Sequence, residues 1–119
     1  MRVSITVYAA IALILLPIVS MACGAGSPEQ EGEQLFADNC ARCHGAAADG
    51  TLLGPPLVHR IYEPGHHADF TFYNAVKNGV VSHHWDFGDM PPVAGLSEDD
   101  VTQIIAYVRG LQREGGIIR

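Results

Sequence analysis

The sequence predicts a small all-α domain: about three helices joined by long loops and wrapped around one bound prosthetic group. Three observations carry this. The C-terminal third holds a stripe of Val101, Ile104, Ile105, Val108 and Leu111 at helical spacing, and neither hairpin signals nor internal repeats occur. The connecting stretches "LLGPPLVHR" and "WDFGDMPPVAG" are rich in proline and glycine yet apolar, so they need an apolar surface to lie against. The chain is also short, at 119 residues. A core of that size is marginal without a disulfide, metal or large group to support it.

Residues 1–22 read as an export signal, with Arg2 followed by an apolar run from Val3 to Ala22. The run is also close to bilayer-spanning length, so an uncleaved N-terminal membrane anchor is the rival reading. Pro17 and the small residues Ala22, Gly24 and Ala25 favour cleavage. Cys23 among them resembles the lipobox cysteine of bacterial lipoproteins, which implies lipidation at Cys23, although Ser20 stands where lipoboxes usually carry leucine. Residues 23–30, poor in anything that packs, predict a flexible tether, and residues 31–119 the folded domain. The expected location is the outer face of a bacterial cytoplasmic membrane, periplasmic or extracellular, with the membrane reached through lipid on Cys23 or through the anchor.

The first helix is predicted over Gln30 to Cys43, its apolar positions being Leu35, Phe36, Cys40 and Cys43. Gly32 inside it costs about 1 kcal/mol against alanine, which suggests the close approach of another element. The second helix spans Phe70 to Asn78, with Asp69 as N-cap, Gly79 as left-handed stop, and an apolar face of Phe70, Tyr73, Val76 and Phe72. The third covers Glu98 to Arg113. Ser97 caps it, Asp100 completes a capping box, and Gly115–Gly116 end it.

Thirteen Asp and Glu against seven Lys and Arg give a net charge of −6. Nothing in the chain forms a basic stripe, so nucleic acid is excluded as a partner, and electrostatic adhesion to anionic lipid is disfavoured. Of the three cysteines, allocating Cys23 to lipid leaves one close pair, Cys40 and Cys43, in "CARCH".

Three chemistries compete for that pair. A structural zinc site needs four ligands; no further cysteine is present, and the adjacent pairs His66–His67 and His83–His84 point their rings apart on any regular element. A redox dithiol needs a strand before the motif and a βαβ setting, and no strand-like run precedes Cys40. Covalent haem attachment requires this spacing. Two thiols one helical turn apart can each add to one porphyrin vinyl group, and the next residue, His44, reaches the iron.

The order of motifs over Gly32 to Ile117 resembles the class I cytochrome c family. "GEQLFADNCARCH" is similar to that family's N-terminal helix running into its haem motif, and Tyr107 to the aromatic residue at the helix crossing. "LGPPL" resembles the loop whose first proline, here Pro55, accepts a hydrogen bond from the proximal histidine, His44. "GDMPP" resembles the loop presenting the distal ligand, which implies Met90. Chemistry points the same way, because Met90 is the one methionine after Cys23 and sits in a glycine-proline loop rather than on a helical face.

The resemblance implies one heme c, covalent through Cys40 and Cys43, with iron between His44 and Met90. Such an iron has no open site, so the expected function is one-electron transfer in a membrane-tethered respiratory or photosynthetic carrier that exchanges electrons with redox partner proteins and is not an enzyme. With one lysine, Lys77, the chain lacks a basic docking ring, and partner contact is expected to be a small apolar one at the exposed porphyrin edge. The alternative is a haem-based sensor or peroxidase-like enzyme, in which the distal site is open or taken by His83 or His84. His59, His66 and His67 are expected to be solvated or bonded to loop backbone.

Overall fold

A computed structural model describes residues 26–119; the leader 1–22 and Cys23 lie outside the described residues. Four α-helices follow in order: α1 (Pro28–Asn39), α2 (Ala41–His44), α3 (Asp69–Asn78) and α4 (Glu98–Glu114), with a 3-10 turn at Arg60–Tyr62 between α2 and α3. No β-strand forms among the described residues; Val80 and Met90 make an isolated antiparallel bridge. No described helix is long and apolar enough to cross a membrane.

Ser27 caps α1, accepting from the Gln30 N–H while the Gln30 side chain returns to the Ser27 N–H. Pro28 at the first turn suits a position whose N–H has no helical partner. Regular structure thus begins at Pro28, close to the predicted boundary between tether and domain. The helix predicted to run to Cys43 breaks at Cys40 (φ −122°, ψ −36°), leaving α2 as one separate turn. Its carbonyl still accepts from the N–H groups of Cys43 and His44, so the break re-aims the motif without leaving that acceptor unpaired.

α1 and α4 cross at Gly32. A Cβ built there overlaps the backbone carbonyl of Gln103 and presses on Tyr107, so only glycine admits this approach. Phe36 packs one turn further along, 1% exposed, its ring 5.4 Å from that of Tyr107. Ile104 and Val108 complete the buried cluster, with Leu57, Val58, Phe72 and Leu96 against it.

α4 has the predicted capping box, Asp100 N–H to the Ser97 hydroxyl and Ser97 N–H to the Asp100 carboxylate at 2.8 Å. Its stripe is buried as expected at Val101, Ile104, Ile105 and Val108, and Leu111 packs partly buried. Two residues the apolar pattern does not announce are buried with them, Arg109 and Gln112.

α3 departs from the prediction at both its cap and its face. Ala68 occupies the N-cap position and Asp69 is the first helical residue. Asp69 accepts from Arg109 Nε at 2.9 Å, so its carboxylate serves α4 instead of the α3 backbone. Phe70 is 65% exposed. The inward face is Phe72, Ala75 and Val76, which share a side at spacings of three and four, whereas Phe70 lies about 200° round the helix from Phe72.

Candidate functional site

The described helices leave one large apolar cavity of about 640 Å³ against the helix packing, within the size range of small-molecule and cofactor sites. Cys40, Cys43 and His44 line it from the α1–α2 break; Pro55 and Leu57 from the following loop; Phe72, Ala75 and Val76 from α3; Val80, Trp85, Phe87 and Met90 from the segment before α4. The five residues singled out for the haem site, Cys40, Cys43, His44, Pro55 and Met90, therefore meet at one cavity.

His44 is held by its ring. Nδ1–H donates to the Pro55 carbonyl at 2.9 Å, which leaves the lone pair on Nε2. Burial lowers the His44 pKa, opposed by that same hydrogen bond, so the ring is held in its neutral, metal-ligating form. Gly54 abuts Cys43, where a Cβ would press on the Cys43 backbone, and the Thr51 hydroxyl donates to the Cys43 carbonyl at 2.6 Å. The loop after α2 is thus fastened to the motif by backbone contacts.

Cys40 and Cys43 are unpaired thiols, half-buried. Burial, with Cys43 adding, pushes the Cys40 thiol up to about 11. Redox-active dithiols depend on a depressed thiol pKa, so the shift runs against the dithiol reading. The zinc reading for this pair also lacks ligands, since among the described residues the histidines that come together, His66, His67 and His84, do so without either cysteine.

Met90 is positioned by its backbone. Its N–H donates to the Val80 carbonyl and its carbonyl accepts from the Val80 N–H, both at 2.9 Å, and the Val93 N–H reaches the Val76 carbonyl at 2.8 Å. Gly79, with φ +74°, makes the turn out of α3, and a Cβ on it would press on the Met90 carbonyl. The segment between Val80 and Met90 is consequently closed at its base, and within it Ser82 N–H donates to Asp89 Oδ1 at 2.8 Å.

Whether this cavity suits a porphyrin is testable on its polar atoms. Trp85 Nε1 is buried and makes no well-formed hydrogen bond among the described residues, its polar neighbour being the Tyr62 side chain. A buried N–H of that kind costs about 1–3 kcal/mol unless something accepts from it. A bound group with apolar faces and peripheral carboxylates would meet both the cavity wall and that donor. The donor set, two thiols and a neutral imidazole on one apolar wall, is likewise the chemistry a covalently held haem requires.

Arg109 and Gln112, not recognised from the sequence, build the floor behind the site. Arg109 donates to the carbonyls of Tyr62 and His67 at 2.6 Å each, to Gln112 Oε1 at 2.7 Å, and pairs with Asp69 at 2.9 Å; its guanidinium lies 5.0 Å from the Phe72 ring centre. Gln112 donates to the carbonyls of Leu57 and Tyr62. The available signal was positional: residues 109 and 112 fall one turn after Ile105 and Val108 on the buried face.

One expectation fails here. Leu52 and Leu53, expected to lie against a porphyrin, are 96% and 59% exposed, because the Thr51 hydroxyl and the Gly54 backbone are held against Cys43 and turn the side chains between them outward; Pro55 and Leu57 line the cavity instead. His67 is bonded to loop backbone as expected, its Nδ1–H donating to the Ile61 carbonyl, and its ring lines the cavity with His83 and His84.

A helical fold that opens an apolar cavity onto a C-x-x-C-H turn defines a domain for a covalently attached haem. The family model described as cytochrome c matches residues 29–112. Over 100 residues, 79% of this chain, it is 34% identical to the cbb3-type cytochrome c oxidase subunit FixP of Rhizobium meliloti (strain 1021). It is 37% identical over 82 residues to the subunit CcoP of Rubrivivax gelatinosus, and 33% identical over 95 residues to CcoP of Rhodobacter capsulatus. These matches cover 32%, 25% and 32% of the relatives, so the chain spans about a third or less of their length. The chain belongs to the cytochrome c family, of class I type. Its cofactor is heme c, with Cys40 and Cys43 at the attachment positions.

Proposed function

We propose that the protein is a one-electron carrier in which His44 Nε2 and Met90 Sδ are the axial ligands of the haem iron and no coordination position is left for substrate. When bound, the haem supplies reversible exchange between ferric and ferrous iron. The observation that carries this reading is the placement of both candidate ligands on the same cavity wall system, each immobilised through backbone: His44 by Pro55, Met90 by its two-bond bridge to Val80. Pinned ligands change little in geometry between oxidation states, which favours outer-sphere exchange over substrate binding.

The remaining residues have defined tasks. Cys40 and Cys43 would tether the haem; Phe72, Val76, Leu57 and Ile104 would keep water from it; Trp85 Nε1 would be available to donate to one of its carboxylates. The exposed Leu52 and Leu53 beside Cys43 supply a small apolar contact for a redox partner near the attachment edge. The relatives are named as subunits of a cbb3-type oxidase, which supports a respiratory setting, with electron exchange to a membrane-bound partner and no catalysis by this domain itself. We assign residues 1–22 to an export signal, Cys23 to lipidation and the domain to the outer face of the bacterial cytoplasmic membrane.

The test is the optical spectrum of the holoprotein. The reading expects a six-coordinate low-spin haem and, in the ferric state, the weak far-red band of sulfur bound to iron, lost in Met90→Ala. Covalent haem lacking that band in the wild type would sink the Met90 assignment and move forward a sensor or peroxidase-like reading with His83, His84 or an open position on the distal side.

A further inference from the structure

Two histidine pairs stand on either side of α3: His66–His67 in the loop leading into it, and His83–His84 in the loop leading out. On a regular element adjacent rings would point apart, but these loops keep each pair together, with ring centres 4.8 Å apart for His66 and His67; two rings still fall short of a metal site. The fold combines them. α3 returns the chain so that the two loops meet, and His66 Nε2 lies 3.3 Å from His84 Nε2. One ligating nitrogen from each of His66, His67 and His84 lies within 4.8 Å of the other two. The ring centres are 4.8 Å (66 to 67), 5.1 Å (66 to 84) and 5.2 Å (67 to 84) apart. His83 stands directly behind, 4.3 Å from His84.

The spacing and the protonation pattern both suit a metal ion. Two imidazole nitrogens bound to one Zn²⁺ at about 2.0–2.1 Å in tetrahedral geometry stand about 3.3 Å apart. His66 and His84 already have that separation. His67 gives its Nδ1–H to the Ile61 carbonyl at 2.6 Å, which fixes the tautomer and places the lone pair on Nε2. His83 is fixed likewise by the Val81 carbonyl at 2.8 Å. A backbone acceptor on the second ring nitrogen is the usual support of a metal-binding histidine. Desolvation, followed by the neighbouring His83, His67 and His66, lowers the His84 pKa, in the direction of the neutral ring that a metal takes.

We propose that His66, His67 and His84 form a second metal site, distinct from the haem iron, that takes a borderline divalent cation of the Zn²⁺ class with a water molecule as fourth ligand. Three protein nitrogens and one water are the composition of an open tetrahedral zinc site. Occupancy joins the loop before α3 to the loop that ends at Met90, and so clamps two borders of the cavity together. The site makes no use of the axial assignment of Met90, and the two claims fail separately.

The experiment is Zn²⁺ titration by calorimetry against the mature holoprotein carrying no histidine tag, with thermal melts and zinc-edge X-ray absorption on the same samples; the iron edge lies far from it in energy. The expected result is one Zn²⁺ per chain, an imidazole-nitrogen shell, and a melting temperature that rises with zinc. His66→Ala and His84→Ala, both at exposed positions, each weaken binding by at least about tenfold, the double variant abolishes it, and His59→Gln leaves it unchanged. Absence of stoichiometric binding to the wild type, or binding undiminished in the double variant, overturns the site. So does a wild-type ferric haem that lacks the far-red sulfur band and changes its coordination in His84→Ala, which would make His84 an iron ligand.

Discussion

Gly32 is where α1 and α4 come closest, and its lack of a side chain is what allows Phe36 and Tyr107 to meet across the crossing. Gly32→Ala relieves a helix-propensity cost of about 1 kcal/mol, but the added Cβ overlaps the Gln103 carbonyl, a backbone atom that cannot rotate away. Overpacking of that kind costs about 1–3 kcal/mol, so the net effect is destabilising, read as a lower denaturation midpoint of the holoprotein. A second residue-level effect depends on pH. Asp100 has its pKa lowered from the ordinary 3.8, first by the Ser97 hydroxyl and then by the Ser97 N–H. A depressed carboxylate stabilises the fold above its unfolded pKa and loses that contribution as pH falls through the folded value. The melting-temperature gap between wild type and Asp100→Asn is therefore widest from about pH 5 upward and closes as pH approaches 2; a gap independent of pH would contradict this account.

Among the elements, α4 does the organising, because it holds α1 on one side and the loop before α3 on the other. Arg109 makes the second attachment, and its burial was not legible in the sequence: an arginine in a stripe of valine and isoleucine reads as solvated unless the carbonyls that face it are known. Those carbonyls, Tyr62 and His67, belong to an irregular loop that has no ladder to satisfy them. Arg109→Ala leaves them and Gln112 Oε1 without that donor, and is expected to cost about 3 kcal/mol with loosening of the 57–69 loop, seen as faster amide exchange there. Arg109→Lys does not restore it, since one ammonium cannot reproduce the planar fork. The break between α1 and α2 was missed for a related reason. Cys40 and Cys43 fit a continuous helical period, and the change of direction at Cys40 comes from the loop packed on α2, including Gly54 against Cys43.

On the scale of the whole molecule, the cavity sets the stability. About 640 Å³ of apolar-lined space stands where a domain of this size would otherwise have its centre. A hollow of that size removes the close packing that would otherwise hold the centre together, and a small domain has only about 5–15 kcal/mol of stability to lose. A Cys40→Ala, Cys43→Ala double variant prepared free of haem is expected to lose cooperative unfolding and much of its helical circular dichroism. A compact, cooperatively melting apoprotein would contradict the wrapped-haem architecture.

What the sequence by itself determined was the chemistry and the local elements. "CARCH" needs no tertiary context to define an attachment spacing, Ser97 and Asp100 define a cap within four residues, and the α4 stripe is a property of its own period. Helix existence and motif identity are written in near-neighbour relations, which is why they were readable. What only the tertiary structure decided were relations between distant residues: the outward turn of Leu52 and Leu53, the rotation of α3 that buries Phe72 and exposes Phe70, the burial of Arg109, and the meeting of His66 and His67 with His84 across α3. Each of these depends on which unpaired backbone groups and which ring nitrogens the loops bring face to face, and loops, unlike helices, have no periodicity from which that can be read.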